Sequence, residues 1–195
     1  MLPRNPSQRR PILILRTQDA RQPLSGAFLL PSNSIFPMSK KYWLMKSEPS
    51  ECSFESVFSR NDKTIDWFGI RNYQARNFMR DEMSIGDPVL FYHSSCPHPG
   101  IVGLAHVASV AKPDQTQFDP KSEYFDSKST PENPRWVCVD VMADEPIELI
   151  DLQTLRKYPQ LQSMRILQKG NRLSITPISE EEYSFIINEL IQKKI

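Results

Sequence analysis

Alternating hydrophobic and polar positions predict a series of short β-strands in the body of the chain. The first candidates are YWLMK (42–46) and DPVLFYHS (87–94), and GIVGLAHVASV (100–110) and RWVCVDVM (135–142) continue the series. A fifth candidate, RLSIT (172–176), is expected to close the sheet. Runs of this length that are rich in β-branched and aromatic residues and bounded by turn residues are typical of strands.

Two segments repeat their apolar residues at helical spacing instead. One is RNYQARNFMRDEM (71–83) and the other is SEEEYSFIINELIQ (179–192), which begins with the capping-box pair Ser179 and Glu182. Strands outnumber helices, and strands do not alternate regularly with helices along the chain. The pattern therefore predicts the α+β class, with a small barrel-like sheet flanked by helices.

The first 37 residues differ from the rest in composition. Residues 1–37 are rich in Pro and Ser, carry five Arg and one Asp, and are predicted to be a disordered basic arm, with the domain over residues 38–195. The arm fits an organelle transit peptide, a phosphate-binding extension or a start codon placed upstream of a true initiator at Met38. The strand-like sequence that follows Met38 favours the last of these.

Charge and cysteine content restrict the possible partners. The chain has a net charge of +1, so the body without its basic arm is mildly acidic and a poor general polyanion binder. Any nucleic acid must therefore bind at a local site. Cys52, Cys96 and Cys138 are scattered and form no CxxC pair, which indicates a reducing compartment, cytoplasmic or, in a eukaryote, nuclear. No apolar run approaches the ~20 residues that span a bilayer, so no membrane partner is expected.

The segment IDWFGIRNYQARN (65–77) combines aromatic rings with flat polar side chains. A nucleobase is a flat ring with donors and acceptors on its edge, so a protein that holds one needs both kinds of side chain. Trp67 can supply a stacking surface, while Asn72 offers a donor and an acceptor. Arg71 and Asn72 also lie at a predicted helix start, where free backbone N–H groups favour an anion.

A purely structural role is the alternative for the same residues. In that interpretation Tyr73 belongs to the core, Trp67 fills a hole and the amides cap the helix. The residue chemistry favours the ligand interpretation for Trp67, Arg71 and Asn72, with Arg76 reaching phosphate or a purine edge.

Three further segments, KSEP, FYHS and KGNRLS, bring polar or aromatic side chains to predicted strand ends. The candidate base-binding residues are Lys46, Ser47, Glu48, Trp67, Arg71, Asn72, Tyr73, Phe91, Tyr92, His93 and Ser94. The candidate phosphate or base-edge contacts are Arg76, Lys169, Arg172 and Ser174.

Seven ordered motifs closely resemble the EVE domain family: YWLMKSEP, WFGIRNYQARN, FYHS, PGIVG, FDPKS, NPRW and GNRLS. The resemblance runs from about Lys41 to about Leu190. It implies a PUA-like mixed β-barrel of five to six strands, related to the YTH and ASCH domains. It also implies capture of a modified base, with modified cytosine in DNA as the family's link and modified bases in RNA as a second possibility.

The family resemblance also suggests roles for particular residues. In related YTH domains a Lys-Ser step and a downstream Trp help to build a cage around the base, and Lys46, Ser47 and Trp67 look like their counterparts. The family commonly has an acidic residue after the Trp, whereas this sequence has Phe68. The ligand preference is therefore expected to differ if that acid normally contacts the base edge.

The resulting hypothesis is a non-catalytic module that binds a base flipped out of its strand. The base is expected to slide between Trp67 and a second wall formed by Phe91 or Tyr92. Stacking contributes ~1–3 kcal/mol and roughly cancels the cost of unstacking, so contacts to the base edge decide selectivity. A polar modification that meets Ser47, Asn72 or Arg71 is expected to be preferred over a plain methyl group.

The sequence leaves an enzymatic alternative open. Some ASCH relatives are amidohydrolases that act on modified cytidine, and Lys46 and Glu48 are the candidate nucleophile or base and acid. A zinc site built from His93, Cys96 and His98 is disfavoured because a fourth ligand is missing. No motif for a nucleotide cofactor is present, so no cofactor is expected, whereas a separate nuclease partner remains possible.

A polar segment between Lys112 and Pro134 is too long for an ordinary connection. It is expected to form either a lid over the site or a solvated loop, and the sequence alone does not separate these alternatives.

Overall fold

The computed structural model describes residues 40–192 of the chain. The predicted disordered arm (1–37) and the proposed initiator Met38 lie outside the described residues. Within residues 40–192, no helix is both long and apolar enough to cross a membrane.

Eight strands and four short α-helices make up the described part of the chain. The strands are β1 (Tyr42–Ser47), β2 (Thr64–Asp66), β3 (Pro88–His93), β4 (Gly100–Val107), β5 (Lys112–Pro113), β6 (Val137–Cys138), β7 (Asp140–Asp151) and β8 (Ile175–Ile178). The α-helices are α1 (Phe54–Phe58), α2 (Tyr73–Asn77), α3 (Leu152–Leu155) and α4 (Glu180–Phe185). Helical segments of π type continue α2 and α4 (Phe78–Glu82 and Ile186–Ile191), and 3-10 turns cover Gln115–Phe118, Pro159–Leu161 and Arg165–Leu167.

Six of the strands form one mixed sheet in the order β2-β7-β4-β3-β1-β8, which curls into a half-barrel. β1 runs parallel to β3, and the other neighbours in this sheet are antiparallel. The remaining strands, β5 and β6, pair with each other. The predicted α+β class and mixed PUA-like barrel of five to six strands are confirmed.

The two faces of the sheet carry separate hydrophobic clusters, because successive side chains on a strand point to opposite faces. Trp43 and Phe91 belong to the cluster that also contains α1, whereas Leu44 and Tyr92 belong to the cluster beneath α3 and α4. Neighbouring residues of one strand therefore pack in different cores. A side chain can contribute to a site only on the face of the sheet toward which it points.

The predicted elements match the structure with local differences. The single strand predicted at 135–142 is divided between β6 and β7, and β7 continues to Asp151. The predicted closing strand lies slightly later, in β8. The capping box at the start of α4 is confirmed: the backbone N–H of Ser179 donates to Glu182 Oε2 at 2.9 Å, and the backbone N–H of Glu182 donates to Ser179 Oγ at 3.2 Å. The sequence patterns did not identify α1, β2 or α3.

Helix α1 lies directly on the backbone of β4. A Cβ built on Gly103 would fall 2.2 Å from the Phe54 ring, a distance that real side chains do not reach. The backbone N–H of Phe54 also donates to His93 Nε2 at 3.0 Å, and the Phe54 ring meets Phe91 edge to face. Gly103 therefore permits the close approach that fixes α1 against the sheet.

We expect Gly103→Ala to lower the free energy of unfolding by about 2 kcal/mol, because the added methyl overpacks the Phe54 ring. Urea denaturation of the wild type, both single variants and the Gly103→Ala/Phe54→Ala double variant measures the coupling between the two sites. The added methyl group should lower the free energy of unfolding much less in the Phe54→Ala background than in the wild type. An equal cost in both backgrounds would show that Phe54 is not the side chain with which it clashes.

Candidate functional site

A pocket of about 620 Å³ opens beside the ends of β1 and β2, within the size range of small-molecule sites. Its walls come from the turn after β1, the connection between β2 and α2, and the segments near residues 94, 124 and 172. The predicted site residues that line it are Lys46, Ser47, Glu48, Trp67, Arg71, Asn72, Ser94, Arg172 and Ser174.

Three predicted residues of β3 do not line the pocket, because they are buried in the two cores. Phe91 is fully buried and meets Trp67 edge to face, with ring centroids 5.2 Å apart, so no base fits between these rings. Tyr92 belongs to the core on the other face of the sheet, and burial raises its pKa to about 12. His93 is buried against Phe54, and burial lowers the pKa of its imidazole. The predicted sandwich of a base between Trp67 and Phe91 or Tyr92 is therefore wrong.

Three other predicted residues lie outside the pocket wall. Tyr73 is half exposed and packs on Trp136. Arg76 donates to the carbonyl oxygen of Arg135, and Lys169 is exposed on the surface. The predicted set thus divides into a group at the pocket, a group in the cores and a group on the neighbouring surface.

Trp67 contributes the edge of its ring rather than a face. Only 6% of the residue is exposed, which leaves no open face for a stacked base. Its indole N–H donates to no residue within 40–192, whereas Trp43 donates to Asp87 at 3.1 Å and Trp136 donates to Asp126 at 2.8 Å. Because buried indoles normally find a partner, the pocket wall holds a hydrogen-bond donor that no protein group occupies.

Lys46 is the second unpaired donor of the pocket. Its backbone N–H donates to the Ser174 carbonyl at 2.8 Å, which fixes the end of β1 beside residues 172–174. Its ammonium group has no carboxylate within ion-pair distance among the described residues, and burial lowers its pKa. A half-buried cation without a protein partner is a favourable site for an acceptor atom of a ligand.

The turn after β1 is fixed by its own hydrogen bonds. Ser47 Oγ donates to the Cys52 carbonyl at 2.8 Å, and the backbone N–H of Ser94 donates to the Ser47 carbonyl at 2.8 Å. Ser95 Oγ donates to a Glu48 carboxylate oxygen at 2.7 Å. Ser47 thus presents acceptor lone pairs to the pocket, and the Glu48 carboxylate pairs with Ser95 rather than with Lys46.

The guanidinium group of Arg71 is saturated by protein acceptors. Nε donates to the Tyr124 carbonyl at 2.8 Å, and Nη1 donates to Asp114 Oδ2 at 2.8 Å and to the Ile70 carbonyl at 3.2 Å. Nη2 donates to Thr116 Oγ1 at 3.0 Å and also to the Tyr124 carbonyl. Since Arg carries five N–H groups, none remains for a base edge or a phosphate. Arg71 therefore does not make the predicted ligand contact and has a structural role instead. We call its ion pair and hydrogen bonds to Asp114, Thr116 and Tyr124 the Arg71 clamp.

Asp114 receives this clamp inside the protein. Its side chain is completely buried, and it also accepts hydrogen bonds from Thr116 and from the backbone N–H of Gly69 at 3.0 Å. Burial by itself raises the pKa of the carboxyl, but the bonds donated by Arg71 and Thr116 outweigh burial and hold the pKa below its usual range. The clamp thus joins the start of α2 to the long polar segment.

The polar segment between Lys112 and Pro134 forms part of the pocket wall rather than a free excursion. Buried Gln117 donates to the carbonyl oxygens of Asp114 and Trp136, which holds the segment in shape. Tyr124 from this segment lines the pocket. Sequence reasoning missed Tyr124, because a single Tyr in a polar loop gives no periodic signal.

Tyr124 rests directly on Gly69. Gly69 has φ +79°, and a Cβ placed there would lie 2.9 Å from the Tyr124 ring. Phe68 is 48% exposed and meets Tyr124 edge to face, with ring centroids 6.0 Å apart. The open aromatic surface at the pocket therefore comes from Phe68 and Tyr124, which replace Trp67 in that role.

Two exposed arginines complete the pocket wall. Arg172 has no hydrogen-bond or ion-pair partner within residues 40–192, and in the same range the Arg60 guanidinium donates only to the Thr64 carbonyl at 3.0 Å. The lining carboxylate of Asp66, by contrast, pairs with Lys112 at 2.9 Å. Guanidinium groups that have no carboxylate partner among the described residues suit the phosphates of a bound strand.

The described residues offer no metal site. Between residues 40 and 192, no three His, Cys, Asp or Glu side chains come together in a group that could hold a metal ion. The candidate ligands Cys96 and His98 lie in the connection between β3 and β4, while His93 is engaged with Phe54.

We expect Arg71→Gln to lower the free energy of unfolding at pH 7 by about 3 kcal/mol, because the buried Asp114 carboxylate loses its cation. In the wild type this carboxylate has a lowered pKa, so its contribution is complete above the unfolded pKa of ~3.9 and is lost as the pH falls through the folded pKa. The stability difference between variant and wild type should therefore shrink between pH 7 and pH 3.

Urea denaturation across this pH range measures the difference. Arg80→Gln is the matched control, because Arg80 pairs with Asp81 on the surface and its loss should change stability little at any pH. A difference for Arg71→Gln that stays constant with pH would contradict the assignment of the clamp to ionised Asp114.

The fold is shared with known proteins. A model of the EVE domain matches residues 41–189. Thymocyte nuclear protein 1 of Gallus gallus is 39% identical over 165 residues, a match that covers 75% of this chain and 67% of the relative. A crystal structure from Pseudomonas putida superimposes with a TM-score of 0.71 at 44% identity, covering 75% of this chain and 97% of that one.

A crystal structure of human THYN1 protein in complex with DNA containing 5-methylcytosine superimposes with a TM-score of 0.72 at 37% identity. That match covers 76% of this chain and 96% of the human one. Because the domain model spans residues 41–189 and relatives align over most of their own length, this chain belongs to the EVE domain family.

Proposed function

We propose that this protein binds nucleic acid and holds a single modified base, with modified cytosine as the favoured ligand, in the pocket between β1 and α2. The observation that carries the proposal is a pair of donors on the wall that have no protein partner within residues 40–192, the Trp67 indole N–H and the Lys46 ammonium. Cytosine presents two acceptors, O2 and N3, on neighbouring positions of its ring. The complex of the human relative with DNA containing 5-methylcytosine supports the same ligand class.

The base stacks against the exposed ring of Phe68 or the partly exposed ring of Tyr124, with its acceptor edge toward Lys46 and Trp67. Stacking on an aromatic ring contributes ~1–3 kcal/mol, about the cost of removing the base from its strand. Hydrogen bonds to the edge then determine the net affinity. Arg60 and Arg172 bind the adjoining phosphates, which gives the mildly acidic body a local site for a polyanion.

Selectivity for the modification rests on Asn72 and Ser47. The Asn72 Oδ1 atom accepts from the backbone N–H groups of Gln74 and Ala75 at 2.9 and 3.1 Å, so its exposed amide N–H groups are free for a ligand. Ser47 offers acceptor lone pairs. A hydroxyl group on the base can satisfy both types of site, whereas a bare methyl group gains only ~0.8 kcal/mol of burial.

A second candidate function is hydrolysis of an acylated cytidine, for which the lowered pKa of Lys46 is the favourable observation. The other proposed participant, Glu48, is engaged with Ser95. Incubation with acylated cytidine and product analysis separate the two functions, since the binding function leaves the acyl group intact. A nuclease that acts on the bound strand is a further proposed partner, and a nuclear location fits the name of the avian relative.

We expect Lys46→Met to weaken binding of a DNA oligonucleotide carrying one modified cytosine by about 10- to 100-fold, because a charge-assisted hydrogen bond contributes ~1.5–3 kcal/mol. Fluorescence anisotropy measures the affinity. Lys169→Met is the matched control, since Lys169 is exposed and lies outside the pocket wall, and it should bind within about twofold of wild type. Equal losses for the two variants would indicate a general charge effect and refute a pocket contact.

We also expect affinity to increase from cytosine to methylcytosine by no more than about fourfold, and to increase further for hydroxymethylcytosine. The three oligonucleotides differ only at the central base and are compared at one salt concentration, because phosphate contacts depend on ionic strength. Asn72→Ala should remove the preference for the hydroxymethyl group. Equal binding to all three bases would refute the proposed readout.

A further inference from the structure

An exposed aromatic ring lies just outside the pocket, at the start of α2. Tyr73 is 49% exposed although it is a large aromatic residue. Its ring packs on Trp136 with centroids 4.9 Å apart, and its hydroxyl group bonds to the Arg135 guanidinium. The ring is therefore held in place by two neighbours while much of its surface remains open.

Two groups besides Arg135 lie against the Tyr73 ring, and about half of the residue stays exposed. The Arg76 guanidinium lies 4.7 Å from the Tyr73 centroid and 5.8 Å from the Trp136 ring. If Arg76 and Trp136 lay on directly opposite sides of Tyr73, they would be more than 9 Å apart. Both therefore lie toward one side of Tyr73, and the Arg135 guanidinium, 5.8 Å from the centroid, bonds to its hydroxyl group. The half of Tyr73 that stays exposed is available for stacking.

Arg76 gives this surface a positive charge that forms no ion pair with a carboxylate in the described part of the chain. Its guanidinium donates to the Arg135 carbonyl at 3.1 Å and to Asn77 Oδ1 at 2.7 Å, both uncharged acceptors. Arg80 and Arg135 instead pair with Asp81 and Asp126. Burial, followed by the charge of Arg80, lowers the pKa of Arg76. An anion beside Tyr73 would relieve this unfavourable environment.

The surface is continuous with the pocket. Asn72 lines the pocket and directly precedes Tyr73 in the chain. The guanidinium of Arg71, which also lines the pocket, lies 5.4 Å from the centroid of the Trp136 ring on which Tyr73 packs. A strand with one nucleotide in the pocket can therefore reach this surface with the next nucleotide.

We infer that Tyr73 and Arg76 form a second nucleotide-binding surface, on which Tyr73 stacks the base adjacent to the captured one and Arg76 binds the intervening phosphate. This inference rests on the proposed function, because the flanking nucleotide belongs to the same strand. It assigns to the protein a preference for an oligonucleotide over a free nucleoside. It also gives Tyr73 and Arg76 a binding role outside the pocket.

Two probes separate this surface from the pocket. One is a fluorescent single-stranded DNA of eleven nucleotides, on the order of one single-strand site, with a central hydroxymethylcytosine. The other is the free hydroxymethylcytosine nucleoside, followed by NMR titration. We expect Tyr73→Ala to weaken oligonucleotide binding about 5- to 100-fold and to leave nucleoside binding within about twofold of wild type. Tyr73→Phe retains the ring and should bind the oligonucleotide like wild type.

Arg76→Gln should weaken oligonucleotide binding and reduce the slope of log affinity against log salt by about one. Circular dichroism confirms that each variant is folded. Lys46→Met, in the pocket, should weaken binding of both probes. Unchanged oligonucleotide affinity in folded Tyr73→Ala would overturn the second surface while the proposed function stands. Failure of the wild type to bind either probe would overturn both.

Discussion

The arrangement of the site depends on the hydrogen bonds and ion pair between Arg71 and Asp114. Arg71 precedes α2 and Asp114 begins the long polar segment, 43 positions further along the chain. All five N–H groups of Arg71 have protein acceptors, two of which are the carboxylate and the Tyr124 carbonyl. Because an uncompensated charge is costly in a protein interior, this pair fixes the segment tightly and makes it a wall.

With this wall fixed, the pocket is already formed in the absence of a ligand. Tyr124 rests on Gly69, and the turn after β1 is held by Ser47 and Ser94. Two hydrogen-bond donors of the pocket, the Trp67 indole N–H and the Lys46 ammonium group, have no protein partner within residues 40–192. A preformed site with unpaired donors loses little entropy when it binds a group with matching acceptors.

Local sequence patterns were sufficient for the elements whose hydrophobic periodicity is strong. The predicted strands at 42–46 and 87–94 correspond to β1 and β3, and the capping box of α4 is present. The very short elements β2 and α3 carry too few residues for a period. The ordered motifs identified the family and, through it, the mixed barrel.

The site itself was predictable only in part. Lys46, Ser47 and Trp67 were placed at the pocket by motif and by residue chemistry. The roles of Trp67 and Arg71 could not be predicted, because they depend on contacts with Phe91, Asp114 and Tyr124, which are distant in sequence. Periodicity assigns a residue to one side of a strand or helix. It does not show which face of a ring is covered or which acceptors a guanidinium finds across the fold.

The most direct measurement is a ¹H–¹⁵N NMR titration of the three tryptophan indole N–H signals with a free modified cytosine nucleoside. Trp43 and Trp136 already donate to carboxylates and serve as internal references. The account predicts a saturable downfield shift of the Trp67 signal alone, as its unpaired N–H gains an acceptor. Saturable binding that leaves the Trp67 signal unchanged would contradict it.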